Sequence, residues 1–187
     1  MEDSLFSEFY GKIPDIIREH DPFKNEVDPN DHRLITAYHE SGHAIFAIIY
    51  ELGLLSVEID PNNPKDGKII LEPYNSESKN EGYIKHYYAG IASQYYYTGE
   101  MNKGDNKGDY WRMIENKNFG QLYYFEKLGT FEAVFEEYEK ILRATIPKTR
   151  TNDFQRNIHE LAIELNNSPN LRLTRKDILS ILIKPYS

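Results

Sequence analysis

The apolar positions of the chain fall into blocks of helical period separated by short polar stretches. Between residues 31 and 51, Leu34, Ile35, Tyr38, Ile45, Phe46, Ile48 and Ile49 recur at helical spacing and cover more than one face. That breadth predicts a largely buried helix, capped by Asn30 or Asp31 and closed at Gly53. Residues 56–60 then alternate, with Val57 and Ile59 on one side, and 68–72 form a second apolar run. Two short strands joined by a turn over 61–67 are expected from this pattern. Ser78 and Glu81 have capping-box spacing and open a second helix through Ile84, Tyr87, Tyr88, Ile91, Ala92 and Tyr95, ending near Thr98 and Gly99.

Beyond it lies a glycine-containing polar loop over 99–108. A helix opening at Asp109 and holding Tyr110, Trp111 and Met113 comes next, then a shorter helical segment between Gly120 and Gly129. Thr130 caps a helix over 131–144, and Thr151 or Asn152 caps another running to about residue 165. Thr174 and Asp177 repeat the capping-box spacing ahead of Ile178, Ile181 and Leu182. The first 30 residues are weakly patterned: residues 4–10 fit a short helical turn, Pro14 opens another over 15–19, and Pro22 and Pro29 punctuate the remainder. The expected fold is mostly α with α+β character, a helical body carrying a two- or three-stranded β region. Residues 1–30 form an arm packed on a single domain over 31–187, whose parts are a core over 31–125 and C-terminal helices over 130–185.

Composition agrees with one globular domain. The 187 residues are 40% hydrophobic and 28% charged, enough to build a core, and no repeat or low-complexity segment interrupts them. With 22 basic against 30 acidic residues the net charge is -8, which argues against a nucleic-acid partner. The absence of cysteine excludes a disulfide scaffold, thiolate-ligated zinc, cysteine-ligated clusters and cysteine nucleophiles. Acidic Glu2 and Asp3 stand where a signal peptide would be basic, and no window approaches the roughly 20 apolar residues that span a bilayer. A cytoplasmic protein without membrane insertion is expected. The 15 tyrosines fit either a peptide-binding wall or a habit of placing tyrosine at half-buried core positions.

The chemistry is concentrated at His39-Glu40-Ser41-Gly42-His43. On a helix the two histidines stand one turn apart and can converge on one zinc ion. Glu40 is turned by roughly 100° around the axis, so it reaches a metal-held water without ligating the metal. Two ligands and a general base result. Gly42, inside the motif, either lets another segment approach the helix closely or is a tolerated helix glycine. A catalytic zinc takes a third protein ligand, and the residue types leave His86, Asp105 and Asp109 as candidates. His32, two turns before His39, is too far along the axis to share the ion.

The segment Ala37-Tyr38-His39-Glu40-Ser41-Gly42-His43-Ala44 resembles the zinc motif of the FtsH-type ATP-dependent metalloproteases, A-x-H-E-A-G-H-A, with Ser41 in place of the usual alanine. The strand region after it, the run Ala89-Gly90-Ile91-Ala92-Ser93 with Gly99-Glu100, and Gly104 followed by Gly108 and Asp109 are similar to that family's later elements. The resemblance covers roughly residues 30–125. It implies a zincin-like helical peptidase domain, one zinc ion, Asp109 after Gly108 as third ligand and Asp105 as a loop residue. The acidic pair usual in the family's second helix is replaced here by Gln94 and Tyr95.

The family's transmembrane helices and ATPase module have no counterpart in the sequence, and no G-x-x-x-x-G-K-[ST] occurs. The expected activity is therefore zinc-dependent endopeptidase cleavage of flexible or unfolded polypeptides without an ATPase of its own. A homo-oligomer or a separate ATPase partner is compatible with that activity. Glu40 serves as general base and proton carrier, and the strand residues Lys68, Ile69, Ile70 and Leu71 can pair with an extended peptide or serve as ordinary structural strand. The alternative is a zinc-bearing adaptor or regulatory domain with little or no turnover.

Overall fold

The computed structural model describes residues 12, 15–19, 27–73, 80–99 and 127–182. Within them the chain is mostly helical with one small antiparallel sheet. The central element is α1 (His32–Ile49), the helix expected from the broad apolar pattern. Asp31 caps it, its carboxylate accepting from the Leu34 N–H at 3.1 Å. Every residue from 35 to 47 is buried.

Its C-terminus closes before the expected Gly53. Glu51 takes a left-handed φ of 53°, and the N–H groups of Glu51 and Leu52 bond to the carbonyls of Ile48 and Ala47. This is a Schellman closure without the usual glycine, which is why the glycine itself pointed further along the chain. Gly53, at φ 74°, instead turns the chain into the sheet.

Strand β1 (Leu54–Ile59) pairs with β2 (Gly67–Leu71) on one side and with β3 (Arg172–Thr174) on the other, in the order β2-β1-β3. Val57 faces both Ile69 and Leu173, and a bulge around Leu55 leaves that side chain exposed. The third strand has one buried residue, Leu173, too little alternation to stand out in the sequence. Strand β2 lies at the edge: among the described residues no strand pairs with its far side.

Helix α2 (Asn80–Thr98) and helix α4 (Asn152–Asn167) pack on α1, and α3 (Phe131–Thr149) packs on α2. Thr130 and Thr151 cap α3 and α4 as expected. Helix α3 runs past the expected end at 144 and contains Pro147. Proline deprives the Arg143 carbonyl of a donor. The turn persists because Thr145, Ile146 and Thr149 are buried there, with both threonine hydroxyls bonded to carbonyls one turn back at 2.6 Å. Helix α5 (Arg175–Leu182) opens on a closed capping box, Asp177 accepting from the Thr174 N–H at 2.9 Å. The bonds from the Thr174 hydroxyl and N–H hold the Asp177 carboxyl below its usual range.

Residues 15–18 form a helical turn whose Ile16 and Ile17 enter the core, and Glu19 pairs with Arg143 on α3 at 2.9 Å. Tyr38, Tyr88, Tyr96 and Tyr138 are among the largest fully buried side chains, so these tyrosines serve the core. Burial pushes the Tyr38 and Tyr96 hydroxyls up to about 12. Among the described residues no helix is long and apolar enough to cross a membrane.

Candidate metal centre

His39 and His43 project from the buried middle of α1 toward a common point. Their Nε2 atoms stand 2.9 Å apart, with the rings nearly perpendicular at 83°. The Glu40 carboxylate completes the group, and the donor atoms of all three residues lie within 4.8 Å of one another. His39, Glu40 and His43 are 8%, 5% and 3% exposed.

Helix α2 holds the rings from behind. The Nδ1 of His43 lies 2.8 Å from the carbonyl of His86. A carbonyl only accepts, so that nitrogen carries the hydrogen and Nε2 keeps its lone pair. His86 returns the contact: its Nδ1 donates to the His43 carbonyl at 3.1 Å. Each histidine side chain therefore bonds the other's main chain across the helix crossing. His86 is 2% exposed and its ring centre lies 4.6 Å from that of His43, yet it is not among the three converging donors. On His39, Nδ1 lies 3.1 Å from Gln94 Oε1.

Small residues make this crossing close enough. A Cβ on Gly42 would stand 2.4 Å from Ser93 Oγ and 2.5 Å from the Ala89 carbonyl. A Cβ on Gly90 would stand 2.4 Å from the His43 ring. The close approach for which Gly42 leaves room is made by α2. Neither Gly90, Gln94 nor the His86 carbonyl is assigned a site role by the sequence pattern. Their signals are the small-residue run at 89–93 and the place of Gln94 where the resembled family has an acidic residue, both offered only as part of a resemblance.

Glu40 is enclosed from the sheet side. Gly67, the first residue of β2, sits where a Cβ would fall 2.6 Å from Glu40 Cγ and 2.8 Å from Thr36 Cγ2. Thr36, one turn before Glu40, donates its hydroxyl to the Pro64 carbonyl at 2.8 Å and ties the β1–β2 turn to α1. From Gly67 the strand runs on through Lys68, Ile69, Ile70 and Leu71, the three apolar residues half-buried. Lys68 is drawn toward Glu58 at 3.6 Å.

The donor set suits zinc. It offers imidazole nitrogens backed by oxygen acceptors and a nearby carboxylate, with no competing thiolate. Zinc ligands held at about 2.0–2.1 Å stand about 3.3 Å apart in a tetrahedron, so the two Nε2 atoms would separate by only a few tenths of an ångström. Asp105, Gly108 and Asp109 lie outside the described residues. Behind the site, Tyr38 stacks on Tyr97 with ring centres 4.3 Å apart and hydrogen-bonds His159 Nδ1 at 2.7 Å, which fixes α1 against α2 and α4. No protein-family model and no curated protein matches this chain.

Proposed function

We propose that the chain is a zinc-dependent endopeptidase of the FtsH-like type, acting on flexible or unfolded polypeptides. The observation that carries this reading is the convergence of His39 and His43 through Nε2, with the Glu40 carboxylate beside them on one buried helix. His39 and His43 would hold the ion, with Asp109 as the third ligand that the resemblance implies. Zinc, when bound, acidifies water and polarises a carbonyl. Glu40 is within reach to take a proton on its carboxylate and to deliver it to a leaving amine. The far edge of β2, with which no described strand pairs, has N–H and C=O groups in a row beside Glu40, which suits an extended backbone and selects little by side chain.

The near-complete burial of the three residues favours a second reading, a zinc-bearing adaptor domain, because a substrate carbonyl must reach them. Zinc content and casein digestion by the wild-type chain and by Glu40→Gln decide between the two. The peptidase reading expects about one zinc in each protein. It also expects digestion by the wild type that falls about 100-fold in the variant, the scale of a lost general base. Zinc without digestion in either protein selects the adaptor, and no zinc in the wild type removes both readings.

A further inference from the structure

Resting on the reading of His39 and His43 as zinc ligands, we propose that Gln94 is the positioning residue for His39. It accepts the hydrogen on Nδ1 of that imidazole when Nε2 gives its lone pair to the metal. A neutral imidazole has one N–H, and either nitrogen can carry it. Only the bare nitrogen can bind a metal. His43 has this choice made by main chain, since the His86 carbonyl at 2.8 Å can only accept. His39 faces a side chain instead: Gln94 Oε1 lies 3.1 Å from its Nδ1.

Gln94 is 2% exposed and lies one turn beyond Gly90 on α2, so the same close crossing that seats His43 delivers it. Its other end, Nε2, is buried without a hydrogen-bond partner among the described residues. The contact to His39 is the one hydrogen bond of this side-chain amide among the described residues. An amide differs from a carboxylate in one respect that matters here. Turned over, it would present a donor to Nδ1, move the imidazole hydrogen to Nε2 and block the metal. A carboxylate would accept in either orientation. The orientation of the Gln94 amide thus sets whether His39 can ligate, and outer partners of this kind change metal affinity by about 10–100-fold.

The test uses the full chain as wild type, Gln94→Glu and Gln94→Leu. Without metal the two Nε2 atoms, 2.9 Å apart, need one hydrogen between them, so the comparison is made with zinc bound. Nitrogen NMR of the zinc-loaded proteins reads whether the His39 Nδ1–H is hydrogen-bonded, and zinc competition against a chelator reads affinity. The wild type and the glutamate variant are expected to keep that bond, with zinc held at least as tightly by the glutamate variant. In the leucine variant His39 should lose it, with zinc bound about 10–100-fold more weakly. His43 should be unchanged in all three, an internal control for folding. A leucine variant with His39 unaltered and unchanged zinc affinity overturns the proposal. If leucine disturbs His43 as well, the glutamate variant decides: retention of the bonded Nδ1 hydrogen and of zinc affinity supports the role, and loss of both overturns it. A wild type that takes up no zinc removes the peptidase reading and this role with it, whereas zinc uptake that leucine leaves unchanged removes this role alone.

Discussion

Gly67 stands against the side chain of Glu40 so closely that a Cβ there would lie 2.6 Å from Glu40 Cγ and 2.7 Å from Oε1. The first residue of the edge strand thus has no side chain because the site carboxylate occupies that space. Gly67→Val should push Glu40 aside while leaving the histidines untouched. The expected result is near-normal zinc content with casein digestion reduced by roughly 100-fold, since displacements of about 1 Å cost that much. Unchanged digestion would show that Glu40 placement does not depend on the strand.

Gly90 tests the helix crossing. Alanine there meets the His43 ring at 2.4 Å. Overpacking of this kind costs about 1–3 kcal/mol, and here it also displaces a ligand, so zinc content should fall together with the melting temperature. Gly129 is the control: its φ is 82° but nothing lies within 4 Å of an added Cβ. Gly129→Ala should lower stability by about 1 kcal/mol through backbone conformation alone and leave zinc content unchanged.

The third ligand can be assigned by mutation. If the resemblance carries over, Asp109→Asn should lose most of the bound zinc and Asp105→Asn should keep it. Inductively coupled plasma analysis of the two purified variants gives the answer, and the reverse pattern would assign Asp105.

Alkaline stability depends on buried tyrosine. Burial raises the Tyr96 hydroxyl to about 12, against Thr149 and then Arg150, which pull it down, and burial raises Tyr97 as well. The folded protein holds these protons more tightly than the unfolded chain, whose tyrosines titrate near pH 10. Their contribution is therefore complete below about pH 10 and declines as pH climbs from about 10 toward about 12. Tyrosinate absorbance should rise in two stages, the second coinciding with loss of helical circular dichroism. One stage near pH 10 with the fold intact would contradict the burial argument.

The helices and the candidate site were legible to different depths. The wide apolar coverage of α1 and the threonine caps of α3 and α4 are local signals, and the structure follows them. The motif histidines could be read because one helical turn relates them. Gln94, Gly67 and the His86 carbonyl meet α1 only through folding, and no spacing along the chain encodes that meeting. Glu51 and Pro147 broke residue preferences. Closing hydrogen bonds and buried neighbours outweighed propensity at both, which no local pattern could announce.

The sheet has one consequence for the order in which the molecule is made. Strands β1 and β2 form a hairpin adjoining α1, and α2 comes soon after, so the group around His39 draws on a contiguous stretch of chain. Strand β3 comes from the far end, pairing Leu173 with Val57. Closing so long a loop is entropically slow. A nascent chain emerging from the ribosome therefore brings both motif histidines and their backing helix together while β1 still has an unpaired edge.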